Sequence, residues 1–197
     1  MRIAQSRCRA SRLKMNRLLA DDHAELDSLL DDVFAALDAG EAQQIYQRLD
    51  LFWARLAMHI RAEHLHLFPA ILGAIETQKR MTKNATLPSL RAARTAINEL
   101  REDHDFFMRE LSGAISQMRG LHENRQTENE IAERIANVRE TLILVSRRLE
   151  KHNEREESEI YKWTDALLSS RQRAALNERM KKEIENLPPR FERRNEI

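Results

Sequence analysis

The sequence predicts an all-α fold, an up-down four-helix bundle with an additional C-terminal helix. Three observations carry that expectation. Four Gly and four Pro in 197 residues are too few to punctuate a chain of short strands. Hydrophobic residues make up 42% of the chain and charged residues 33%, enough for a core and for solvated outer faces. Apolar residues also return at three- and four-residue intervals over stretches much longer than a strand.

Residues 1–14 are rich in Arg and Ser and carry no acidic group, so they are expected to form a flexible basic extension, with helical periodicity starting at Met15. The first helix is expected over 16–38 and ends at Asp38-Ala39-Gly40. The second runs over 42–76, where Pro69 should kink or interrupt it. A connection collecting Asn84, Thr86, Pro88 and Ser89 leads to the third helix, 87–119. Gly120 and the polar run HENRQTENE lead to the fourth, 126–169. A shorter charged amphipathic helix continues to about 186, where it either covers a bundle face or mediates self-association as a homo-oligomer. Pro188 and Pro189 then end the helix, and with nothing apolar expected to pack beyond them the rest reads as a tail. The chain therefore divides into an extension (1–14), a bundle (15–170) and a C-terminal helix with its tail (171–197).

Several function classes drop out. A formal net charge of +1 supplies no global field for nucleic acid. No apolar run approaches the roughly 18–20 residues that span a bilayer, and no continuous h-region marks the N-terminus for secretion. The single cysteine, Cys8, excludes an internal disulfide and a cysteine-based zinc or iron–sulfur site. A cytoplasmic protein with neither nucleic acid nor membrane as its partner is the expectation.

The buried faces hold the informative residues. Read at helical spacing, the first stripe is Leu19, His23, Leu26, Leu30, Val33 and Leu37, and the second is Phe52, Leu56, His59, Glu63, Leu67 and Ala70. The third is Ile97, Leu100, His104, Phe107, Leu111 and Met118. The fourth is Val145, Leu149, His152, Glu156, Ile160, Trp163 and Leu167. One histidine on an apolar face is usually a hydrogen-bonded core residue. Four histidines and two carboxylates aimed at one core must satisfy each other or a cation, because each unsatisfied buried polar group costs roughly 1–3 kcal/mol. A metal accounts for them together.

The spacing agrees. His59 to Glu63 and His152 to Glu156 are both HxxxE, and residues four apart lie about 6 Å along the axis and about 40° round it, so each pair aims at one space. The order His, HxxxE, His, HxxxE over successive helices reads as a duplicated hairpin. Imidazole with carboxylate suits iron, manganese or zinc. If His23 and His59 serve one ion and His104 and His152 another, with Glu63 and Glu156 as bridges, each ion receives two nitrogens and two oxygens. A solvent-derived bridge then leaves an open position on each, where dioxygen, nitric oxide or peroxide could bind an iron pair.

The segments LLADDHAEL, MHIRAEHLHLFPAI, LREDHDFFMREL and EKHNEREESEIYKW resemble the hemerythrin-like, or HHE cation-binding, family of non-haem di-iron four-helix bundles, over about residues 15–170. The resemblance implies two iron ions held by His23, His59, Glu63, His104, His152 and Glu156. It also implies one of several activities: oxygen binding, reaction with peroxide or nitric oxide, sensing of iron or oxygen, or repair of iron–sulfur clusters under stress. Whether the protein is an enzyme, and which residues would then be catalytic, stays open at this point. Oxygen-carrying relatives have a second third-helix histidine where this chain has Met108, which favours the more open four-His, two-Glu site over storage. The acidic residue that often follows the first HxxxE is replaced by His64, whereas Glu157 keeps it in the second copy.

The other polar residues are expected to be peripheral. His66 and Asp27 read as solvated, with a role behind the ligands as the alternative, and His122 falls in a polar loop. Phe107, Met108 and Trp163 read as packing that also sets access. A ferritin-like site would need a second ExxH, but Glu159 stands where its histidine would be. A metal-free helical interaction module is the remaining alternative.

Overall fold

A computed structural model describes residues 14–79, 87–120 and 127–192 of the chain. Helix α1 spans Lys14–Ala39 and α2 spans Ala42–Ala62; a π-turn over Glu63–Leu67 joins α2 to α3, Phe68–Lys79. Helix α4 is Leu90–Arg119 and α5 is Glu128–Arg155; a second π-turn, Glu156–Ile160, joins α5 to α6, Tyr161–Leu167. Helix α7, Ser170–Ile184, and a short α8, Pro189–Glu192, complete the order. The all-α expectation holds, with no strand among the described residues. No described helix is long and apolar enough to cross a membrane.

Local chemistry sets the ends. Gly40 closes α1 with φ +70°, a left-handed conformation that glycine adopts without a Cβ clash, and its N–H donates to the Leu37 carbonyl at 3.2 Å. The Ser89 hydroxyl accepts from the Ala92 N–H and starts α4. Thr127 with Glu130, and Ser169 with Gln172, form capping boxes that start α5 and α7. The expected fourth helix stops two residues early because Leu168 turns extended ahead of the Ser169 cap.

Helices α1 and α2 pack as one hairpin and α4 and α5 as the other; α2 lies beside α4 and α1 beside α5, which is the expected up-down bundle. The core divides in two. One apolar cluster includes Leu30, Val33, Phe52, Leu111 and Leu142. The second includes Leu19, Phe68, Ile71, Ile97 and Leu176. The four histidines and two glutamates lie buried in the bundle as well. Helix α7 covers α1, α2 and the first π-turn, which is the covering role expected for the C-terminal segment.

The structure corrects the sequence reading in two places. The second and fourth stripes lose their phase beyond each glutamate: Ala70 and Trp163 are only partly buried, while Ile71 and Thr164 are enclosed. The π-turns are the cause. In each, the N–H of the following residue (Phe68 or Tyr161) donates to the carbonyl of the glutamate five residues back, so one extra residue is accommodated and the buried face slips by one. Pro69, expected to disturb this helix, is the second residue after the first π-turn. The second correction concerns the C-terminus, where Phe191 is buried. Pro189 supplies a helical φ to the turn that carries it, and Arg190 anchors that turn through two hydrogen bonds to Asp50 at 3.0 and 3.3 Å. Residues 1–13, Cys8 among them, and His122 lie outside the described residues.

Candidate metal centre

All six candidate ligands are brought together, and none is more than 3% exposed. Helix α1 supplies His23, α2 supplies His59 with Glu63 at its end, α4 supplies His104, and α5 supplies His152 with Glu156 at its end. The histidines pair as the spacing suggested: ring centroids are 4.9 Å apart for His23 and His59 and 4.6 Å for His104 and His152.

The glutamates lie between the pairs, each with one oxygen toward either side. Glu63 Oε1 is 3.6 Å from His59 Nε2, and its Oε2 is 3.3 Å from His104 Nε2. Glu156 Oε2 is 3.4 Å from His23 Nε2, and its Oε1 is 3.3 Å from His152 Nε2. Donors bound to one ion at about 2.1 Å stand roughly 3.0–3.4 Å apart along an octahedral or tetrahedral edge, so these separations suit a shared metal. Glu63, His104, His152 and Glu156 bring one atom each within 4.8 Å of one another, as do His23, His59 and Glu156.

Every histidine keeps Nε2 inward because Nδ1 is engaged outside. His59 Nδ1 meets Asp22 at 2.7 Å and His152 Nδ1 meets Asp103 at 3.1 Å. His23 Nδ1 meets Glu157 at 3.0 Å, and His104 Nδ1 meets His64 Nε2 at 2.9 Å. In the tautomer suited to metal binding, each Nδ1–H donates outward and each Nε2 lone pair faces the centre. Arg55 and Arg148 in turn hold Asp22 and Asp103, at 2.9 and 2.6 Å.

Electrostatics record the cost of these groups. Burial and the neighbouring Glu156 push Glu63 up to about 8. Burial would raise Glu156 too, but His152 and His23 pull it well below the usual carboxylate range. Burial disfavours the charged form of His23 and His152, yet Glu156 and the outer carboxylates outweigh it and hold them up to about 9 and about 10. Burial lowers His104 to about 4, so the charged His152 donates to its Nε2 across 3.0 Å. Glu63 Oε2 and Glu156 Oε1 are buried without a hydrogen-bond partner. Two orphaned carboxylate oxygens facing two imidazole nitrogens are a donor set that fits a cation such as iron.

Sequence reasoning missed the residues behind the ligands. Their signal is present: Asp22-His23 recurs as Asp103-His104, and Arg55, His59 and Glu63 recur at the same four-residue spacing as Arg148, His152 and Glu156. Tyr161 was also missed; its hydroxyl lies 3.1 Å from both His23 Nε2 and Glu156 Oε2. Other candidates stand away from the centre. Asp27 is exposed, and the place behind His23 and His59 is taken by Glu157 and Asp22. His66 faces Glu183 of α7 at 3.9 Å.

The family model for the hemerythrin HHE cation binding domain matches residues 14–164. Comparison with curated proteins and with solved structures gave no match.

Proposed function

This chain belongs to the hemerythrin HHE cation-binding family, and we propose that it holds a pair of iron ions that bind or react with dioxygen, nitric oxide or peroxide. The observation that carries this reading is the placement of both glutamates, each with one oxygen toward either histidine pair. His23 and His59 would hold one ion and His104 and His152 the other, with Glu63 and Glu156 each offering an oxygen to both positions. Iron held by nitrogen and carboxylate with positions left open supplies redox chemistry toward such small ligands.

The surrounding residues enclose the centre and keep the donors ready. The six ligand side chains are almost wholly enclosed, which disfavours a large substrate and suits a small ligand. Asp22, Asp103, Glu157 and His64 orient the imidazoles. Met108 packs against the apolar core and offers no nitrogen, which favours gas or peroxide reactivity, or sensing, over reversible oxygen storage.

Anaerobic titration of the iron-loaded, reduced protein with dioxygen, nitric oxide and peroxide tests the reading. Spectral change with at least one of them is expected. No change with any, at full iron loading, would leave a structural or iron-sensing module instead.

A further inference from the structure

Two of the places where the duplicated halves differ bear on the metal positions. Phe68 and Tyr161 occupy the same place in the repeat, each the first residue after a π-turn and each donating its N–H to the glutamate five residues back. Each ring lies beside a ligand: Phe68 is 6.2 Å from His104 and Tyr161 is 5.8 Å from His23, centroid to centroid. Only Tyr161 carries a hydroxyl.

That oxygen points into the centre. It lies 3.1 Å from His23 Nε2, 3.1 Å from Glu156 Oε2 and 3.5 Å from Glu63 Oε1. These are the separations found among the other donors. On the Phe68 side no hydroxyl reaches the corresponding glutamate oxygens, and those are the two left orphaned. The donor sets differ accordingly: four His and Glu atoms converge at His104 and His152, but three converge at His23 and His59. The supports differ too, since His23 leans on the Glu157 carboxylate and His104 on the His64 imidazole.

We propose that the Tyr161 oxygen is a ligand of the metal held by His23 and His59, so that the two ions are inequivalent and the His104–His152 ion, beneath Phe68, is the one left open to an exogenous ligand. This rests on the two-metal reading above. On ligation the phenol O–H breaks, an oxygen–metal bond forms and the proton passes to solvent; a bound cation favours this by stabilising the anionic oxygen.

The chain has two tyrosines, Tyr46 and Tyr161, which makes the assignment direct. Tyr46 packs against the apolar core, its ring beneath the Arg119 guanidinium. The full-length protein is loaded with iron and oxidised to the ferric state. Resonance Raman spectra excited in the visible are expected to show tyrosinate ring modes under a phenolate-to-iron charge-transfer band. Tyr46→Phe should keep the modes and Tyr161→Phe should lose them while retaining iron. The Mössbauer spectrum of the parent should show two ferric environments in equal amounts. A ferric parent without tyrosinate modes would overturn the ligand assignment and leave the two-metal reading standing, as would modes that persist in Tyr161→Phe or vanish in Tyr46→Phe. Should Tyr161→Phe not fold, the parent and Tyr46→Phe spectra decide the matter alone. Failure of the parent to take up iron would overturn the two-metal reading and this inference with it.

Discussion

Loading the centre with ferrous iron at pH 7 should release at least three protons per chain. In the metal-free protein Glu63 titrates at about 8, His23 at about 9 and His152 at about 10, so all three are protonated at pH 7. Each must lose that proton to offer a lone pair to a metal. The sign follows: affinity rises with pH, most steeply below about 8 where all three protons must leave, less steeply once Glu63 has ionised, and levels beyond about 10. With three protons the linkage is worth about 4 kcal/mol per pH unit, roughly a thousandfold in the product of the two binding constants. Any proton lost from Tyr161 or from bound water adds to this. Anaerobic calorimetric titration with ferrous iron in two buffers of different ionisation enthalpy counts the protons. A release of fewer than two at pH 7 would refute the reasoning, because it would mean that these groups are not ligands or do not carry the protons that their surroundings impose.

Four substitutions extend the test. Glu156→Ala removes one oxygen from each position and should lower retention of both ions, whereas His59→Ala should mainly cost one, as read by elemental analysis after gel filtration. Asp103→Asn takes the negative charge from behind His152 and should weaken metal binding about 10–100-fold in chelator competition, with little change in helix content. Leu142→Ala empties a fully enclosed site in the apolar cluster and should cost about 2–5 kcal/mol by denaturant unfolding.

The bundle and its six inward polar residues were legible because burial imposes a 3.6-residue rhythm, and His23, His59, His104 and His152 break that rhythm at one level of four helices. The π-turns were not legible. They leave no compositional mark, and only the backbone reveals that Glu63 and Glu156 each begin a five-residue turn that carries Ile71 and Thr164 inward in place of Ala70 and Trp163. The shell behind the ligands was written in the repeat as Asp-His and Arg-xxx-His-xxx-Glu. It went unread because polar residues beside ligands look like solvated helix faces until the partner helix is placed. Phe191 escaped for a related reason: Pro188 and Pro189 end one helix, but Pro189 also begins another turn that returns an apolar ring to the protein.

Metal stoichiometry bears most directly on the central claim that two ions share Glu63 and Glu156. Protein loaded anaerobically with ferrous iron and freed of excess metal should hold two irons per chain by elemental analysis. A saturating content of one or fewer would contradict the paired centre.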